Sequence, residues 1–411
     1  MKAENKRKHI ILKIAGDSIW SIAGLVLMNV VAQFVIYPIW NQRLGNETYG
    51  QILYLISGMN IWAVSFGVAC NYARMKASVD HPTYNRTYLK LLLVASVIAV
   101  PYILIYSYLS KGYCFSSLET GLLILLTITT MWRYYADVEY RLSLNYRQFF
   151  MYYLMISIGY GIGTLLFLVT NLWPLSLLVG EMFGLLLVAF KGHVLRVEPK
   201  GTIREDSSTI IRMVMVLLAT DLISNLIFNG DRVLLNLLNG GVAVTIYYQA
   251  SLMGKTMTLI TTPMNSVLIG YLAKTKAEMT IKAMNIISLL TIGLFILCSL
   301  ACFFVSHIII QILYPQNYAL VNAYFLIANA SQVAYFLSGV ISTILLRYCK
   351  MRYQLYINLV YAMMFAGACI PAAVLWGLDG FCYALLGVCL LRVCYVLFLG
   401  YRYAIQREQN L

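Results

Sequence analysis

Between residues 217 and 255 an apolar background carries Asp221, Asn225, Asn229, Asp231, Arg232 and Lys255. Ionisable groups within membrane depth are costly and by default mark a substrate or ion path. Asp221, Asn225, Asn229 and Arg232 follow i, i+4, i+8, i+11, which at about 100° per residue puts them on one narrow helical stripe. Tyr248, Ser251, Lys255, Thr258, Thr262 and Asn265 form a second stripe on the segment after it. Such faces belong away from lipid, so the spacing predicts a hydrated cavity whose cations attract an anionic substrate. The bland reading is that Asp221 pairs with Lys255 or Arg232 and only joins helices. Arg232, next to Asp231 at the predicted outer turn, could equally be an interfacial residue that snorkels to water.

Three further groups belong with these. Arg392, in LLRVCYVLF, sits deep enough to face the same cavity, so Lys255, Arg232, Arg392, Asn225 and Asn229 form the expected substrate set. Glu181, in SLLVGEMFGLLL, could titrate and couple transport to ions, because burial raises a carboxyl pKa; its flanking glycines fit close helix packing equally well. Asp221 and Asp17 are the other coupling candidates, although Asp17 lies near a membrane boundary where a charge is cheap. Asn329, Ser331, Gln332, Ser338 and Ser342 make one more polar face.

No catalytic or metal constellation accompanies them. The nine cysteines are scattered without Cys-x-x-Cys or Cys/His spacing and read as small packing residues. GxxxxGK[ST], HExxH and GxSxG are all missing, so no cofactor is implied and the chain does not read as an enzyme. The driving force is then a proton or sodium gradient, or consumption of the substrate on the far side.

The elements that must hold these groups are membrane helices. Of 411 residues, 61% are hydrophobic and 11% charged, too apolar for a soluble surface. Runs long enough to cross a bilayer recur throughout. They predict twelve spans near 17–40, 50–70, 88–109, 118–140, 150–170, 173–190, 209–237, 242–272, 283–305, 319–346, 353–376 and 380–402. The fold class is therefore all-α and polytopic, with an N-terminal six-helix bundle at 1–190, a polar cytoplasmic linker at 191–208 and a C-terminal six-helix bundle at 209–411.

Loop charges set the expected orientation. With the N-terminus inside, the inner segments carry Lys2, Lys6, Arg7, Lys8 and Lys13, Arg74 to Lys90, Arg133, Arg141 and Arg147, Lys191 to Arg212, Lys274 to Lys282 and Arg347 to Arg352. The outer ones carry only Arg43 and Lys111. That bias places both termini in the cytoplasm, and it accounts for the net charge of +14 without a nucleic-acid partner. The basic N-terminus reads as a tail before a retained helix rather than as a signal peptide. Trp40, Trp132, Trp173 and Trp376 fall at predicted span ends, where an aromatic belt would sit. Short outer loops leave no room for the catalytic domain of a polysaccharide polymerase or ligase.

The halves echo each other. RLGNETYGQILYLIS (43–57) follows the first span and LNGGVAVTIYYQASLM (238–253) follows the seventh, each a glycine turn, then Tyr, Gln and a new helix. RLSLNYRQFFMY (141–152) likewise resembles RYCKMRYQLY (347–356). Matching positions imply parallel repeats about an axis along the membrane normal.

RLGNETYGQ and NGDRVLLNLLNGGVAVTIYYQASLMGK are similar to the signature segments of Wzx-type polysaccharide flippases, members of the multidrug/oligosaccharidyl-lipid/polysaccharide exporter superfamily. The likeness extends over the whole chain. It implies two six-helix bundles with alternating access. It also implies a polyprenyl-pyrophosphate-linked oligosaccharide as cargo, moved between leaflets of a bacterial inner membrane for surface polysaccharide. Membrane lipids, a polymerase and glycosyltransferases would be its partners. The nearest rival is a cation-coupled drug antiporter of the same superfamily, which would favour an acidic cavity.

Overall fold

A computed structural model of the chain describes residues 16, 19–80, 84–110, 112, 115–196, 207–274, 279–348 and 352–409. The helices of the first half are α1 (19–44), α2 (46–80), α3 (Asn85–Tyr108), α4 (Ser117–Ala136), the short α5 (Val138–Leu142), α6 (Tyr146–Thr170) and α7 (Leu175–Lys191). Those of the second are α8 (Ser207–Asn239), α9 (Gly241–Lys274), α10 (Ile281–Leu313), the short α11 (Tyr318–Val321), α12 (Phe325–Tyr348), α13 (352–376) and α14 (378–408).

Among the described residues seven helical runs are long and apolar enough to cross a membrane, and the longest two, Ile19–Ser78 and Tyr356–Glu408, are each broken by a glycine. Gly45 at φ +80° separates α1 from α2, and Gly377 at φ +60° separates α13 from α14. With α4, α7 and α9, twelve helices of 17 residues or more stand among the described residues, and each expected span coincides with one of them. The chain is an all-helical, multi-pass membrane protein.

It divides into two compact units, 1–233 and 234–411. That division falls inside α8; of the polar segment 191–208, residues 197–206 lie outside the described residues.

In the first unit α4 packs against α2, α3 and α7, and α7 lies along α6. Glycines allow the last contact: a Cβ on Gly159 would stand 2.6 Å from the Cα of Gly180. In the second unit α12 is the central helix, packed on α9, α10 and α14. An apolar cluster of Met284, Ile341, Leu345, Ile357, Val396 and Leu399 ties α10, α12, α13 and α14 together.

The echo between halves has a structural counterpart. Gly240, between α8 and α9, has φ +84°, like Gly45 at the equivalent break. Gln51 on α2 donates to the carbonyl of Gly112 at 2.5 Å, in the segment joining α3 to α4. Gln249 on α9 accepts from Asn317 at 3.0 Å, in the segment joining α10 to α12. Each glutamine thus fastens the second helix of its half to the connection between the third and fourth.

The aromatic belt needs correction. Trp40 and Trp173 are buried, 5.6 Å apart edge to face, and Trp40 donates to Ser176 at 3.1 Å. Trp132 is partly buried and donates to Ser96. Trp376 alone of the four is widely exposed, as a belt residue is.

Candidate binding site

In the second unit, α9, α12, α13 and α14 bring two cations into one aromatic cluster. Arg392 on α14 is 6% exposed. Its guanidinium lies 4.3 Å from the ring centroid of Tyr335 and 4.8 Å from that of Tyr361, and it donates to Asn358 at 3.3 Å. Its Nε and NH1 are buried and have no acceptor among the described residues, and no carboxylate pairs with it there. Buried donors left unmade are expensive, and a flat fork of free N–H groups matches the oxygens of a phosphate or carboxylate.

Lys255 on α9 is also 6% exposed, with its ammonium 5.9 Å from the ring centroid of Tyr247. Tyr247 accepts from Gln332 at 2.8 Å and meets Phe381 edge to face at 5.3 Å. Phe381 contacts Phe365 at 6.3 Å, and Phe365 contacts Tyr361 at 6.1 Å. A chain of rings therefore links the two cations. Both were expected as substrate residues; the aromatic partners were not. The apolar cluster closes one end, since Val396 and Ile357 lie one helical turn from Arg392 and Tyr361.

Asn329, expected on a polar cavity face, is a fully buried clasp between α9 and α12. It accepts the backbone N–H of Gly254 at 2.7 Å and donates to Ala250 O and Ser306 Oγ, both at 2.9 Å. Ser331 and Ser338 donate to carbonyls of their own helix. Thr258, Thr262 and Asn265 have side chains outside the described residues.

The stripe on α8 belongs to the first unit up to Val233. Asn225 donates to Ser65 on α2 and to Asp221 O, both at 3.0 Å, and Asn229 donates to Asn225 O at 3.0 Å. Asp221 Oδ2 is buried without a partner among the described residues. Arg232 is 8% exposed, and its backbone N–H donates to Asp231 Oδ1 at 2.8 Å. Asp17 lies outside the described residues.

Glu181 on α7 has both oxygens occupied. Arg133 on α4 donates to Oε2 at 2.5 Å and Tyr160 on α6 donates to Oε1 at 2.7 Å. The network continues: Arg133 lies over the Tyr134 ring at 3.9 Å, and Asp137 accepts from Tyr153 and Arg141, both at 3.1 Å, and from Asn71. Arg133 and Arg74 were counted as loop charges, but they are 2% and 6% exposed within the bundle. Arg74 donates to Tyr135 at 2.8 Å.

No protein-family model and no curated protein sequence matches the chain. Its fold, however, is that of MATE transporters of the MOP superfamily. An inward-facing multidrug resistance MATE family transporter superposes with a TM-score of 0.68 at 14% identity, covering 95% of this chain and 100% of the other. MATE in its straight conformation gives 0.65 at 12% identity over 96% of both chains. A MOP superfamily transporter from Pyrococcus furiosus, whose reversed pocket polarity suggests a different function for it, gives 0.64 at 15% identity over 96% and 95%. At such identities the likeness is one of fold.

Proposed function

We propose that the chain is a membrane transporter that moves a polyprenyl-pyrophosphate-linked oligosaccharide between leaflets by alternating access, for surface polysaccharide synthesis. The observation that carries this reading is Arg392, buried between two tyrosines with two nitrogens lacking acceptors among the described residues. Lys255 adds a second cation to the same ring-lined interior. Two cations in a low-dielectric site favour a di-anion such as pyrophosphate far more than they would in water. A lipophilic cation would meet repulsion there. Coupling to a proton or sodium gradient falls to Asp221, whose Oδ2 is unpartnered among the described residues, rather than to Glu181, whose oxygens both have donors. The setting would be a bacterial inner membrane with both termini cytoplasmic.

The rival reading is a cation-coupled drug antiporter. It is favoured by the similar structures, two of which are multidrug resistance MATE family transporters. The P. furiosus relative supports a fold in which pocket polarity and function vary together.

Proteoliposomes carrying an undecaprenyl-pyrophosphate-linked oligosaccharide decide between them. Leaflet exchange should require the protein and should fall at least tenfold in Arg392→Ala and Lys255→Ala. Uptake of a cationic dye driven by a gradient, with no exchange of the lipid, would overturn the flippase reading and establish the rival.

A further inference from the structure

Two of the cysteines expected to be packing residues meet a third sulfur between α9 and α10, in a cluster that the anion site does not use. Cys302 on α10 is buried, and its Sγ lies 3.7 Å from Sδ of Met257 on α9. Cys298 stands one turn before Cys302 on the same side of α10, at the edge of its buried face. Met253, buried and one turn before Met257, adds a fourth sulfur on the same side of α9. The two helices pack on each other. They carry Cys-x-x-x-Cys and Met-x-x-x-Met, in contact at Cys302 and Met257.

A thiol is a weak donor and a thioether a weak acceptor, so this contact alone does little to join the helices. Both cysteines are free thiols, and a disulfide between them is disfavoured. Residues four apart on a helix have Cβ atoms about 5–6 Å apart, beyond the roughly 4.5 Å that a disulfide accepts. A metal ion spans such gaps. Two sulfurs bound at about 2.3 Å with a near-tetrahedral angle stand about 3.7–3.8 Å apart, and Cys302 and Met257 already have that separation. Ligands at i and i+4 reach one ion from one helix face, as the two histidines of HExxH do. Among the described residues no group of three His, Cys, Asp or Glu is placed to hold a metal, which leaves zinc short of its usual ligands. Thiolate combined with thioether selects Cu(I) instead. Ser299, on the same side of α10 as Cys302, is 5% exposed, and its Oγ has no partner among the described residues. A hydroxyl donor beside a ligating thiolate is what the outer shell of a metal site supplies.

We propose that Cys298, Cys302 and Met257 form a binding site for a soft monovalent ion, Cu(I), that fastens α9 to α10. Each thiol that forms a Cu–S bond gives up one proton to water, and the thioether donates a lone pair. The copper stays Cu(I), and no electron moves. A single thiolate neutralises the ion, which keeps the cost of burying it low. Met257 is two residues from Lys255, so the ion would hold the stretch of α9 that carries the lysine. The site is independent of which cargo the chain moves.

The test uses the full chain, reduced and in detergent, titrated with Cu(I) in competition with bathocuproine disulfonate. Wild type should retain one more Cu(I) per chain than Cys302→Ser. Affinity at that site should fall more than about tenfold in Cys298→Ser and in Met257→Leu. Leucine keeps the size and apolarity of methionine, so that variant guards against loss of the fold. Cys394→Ser, at an exposed cysteine on α14, is the control and should match wild type. Bound Cu(I) should raise the melting temperature of wild type but not of Cys302→Ser. Equal Cu(I) retention by wild type, Cys302→Ser and Met257→Leu, or none by wild type, would overturn the site. Displacement of the Cu(I) by equimolar Zn(II) would overturn it as well.

Discussion

Arg133 and Glu181 meet at 2.5 Å with side chains only 2% and 3% exposed, joining α4 to α7 inside the first unit. A pair so thoroughly removed from water repays its desolvation only while both members are present. Glu181→Gln should therefore cost about 3–5 kcal/mol, whereas Arg133→Met with Glu181→Leu should cost much less. Thermal unfolding of the two variants in detergent measures the difference, and equal losses would refute the coupling.

Transport that follows a proton or sodium gradient in wild type should lose that dependence in Asp221→Asn. Glu181→Gln should retain it in whatever transport survives. The reading is the initial rate in proteoliposomes with and without an imposed gradient. The opposite pattern would move the coupling role to Glu181.

Arg392→Lys should behave almost like Arg392→Ala in binding undecaprenyl pyrophosphate, with at least a tenfold loss. Lysine keeps the charge but not the planar fork or the stacking between Tyr335 and Tyr361. A lysine variant with wild-type affinity would reduce the site to a point charge.

Gly240→Ala and Gly45→Ala should each destabilise by about 1–3 kcal/mol, because both glycines hold a backbone region that side chains disfavour. Gly121→Ala, inside α4 where a Cβ meets nothing, is the control and should be neutral or slightly stabilising. Thermal shifts in purified protein distinguish them.

The helices were legible in the sequence because hydropathy is a local property, and each span announces itself without reference to the others. The glycine breaks after the first and seventh spans were legible for the same reason. Lys255 and Arg392 could be nominated one at a time, but not placed in one cluster. Tyr247 and the rings between them come from α9, α13 and α14, and nothing local encodes that meeting. Arg133 shows the converse failure. Near the end of a span, loop and interior arginines look alike, and only Glu181, 48 residues away, makes this one interior. Trp40 was misplaced likewise, since Trp173 and Ser176 enclose it from a distant helix.

Gly254 has a consequence for the residue that follows it. A Cβ there would stand 2.7 Å from Gln332 Cβ and 3.1 Å from Asn329 O, and Asn329 already holds its amide. The main chain at this point is pinned to α12 and has no freedom to slide. Lys255 is thus carried on a fixed pivot, and the packing of α9 on α12 sets where its ammonium meets the Tyr247 ring.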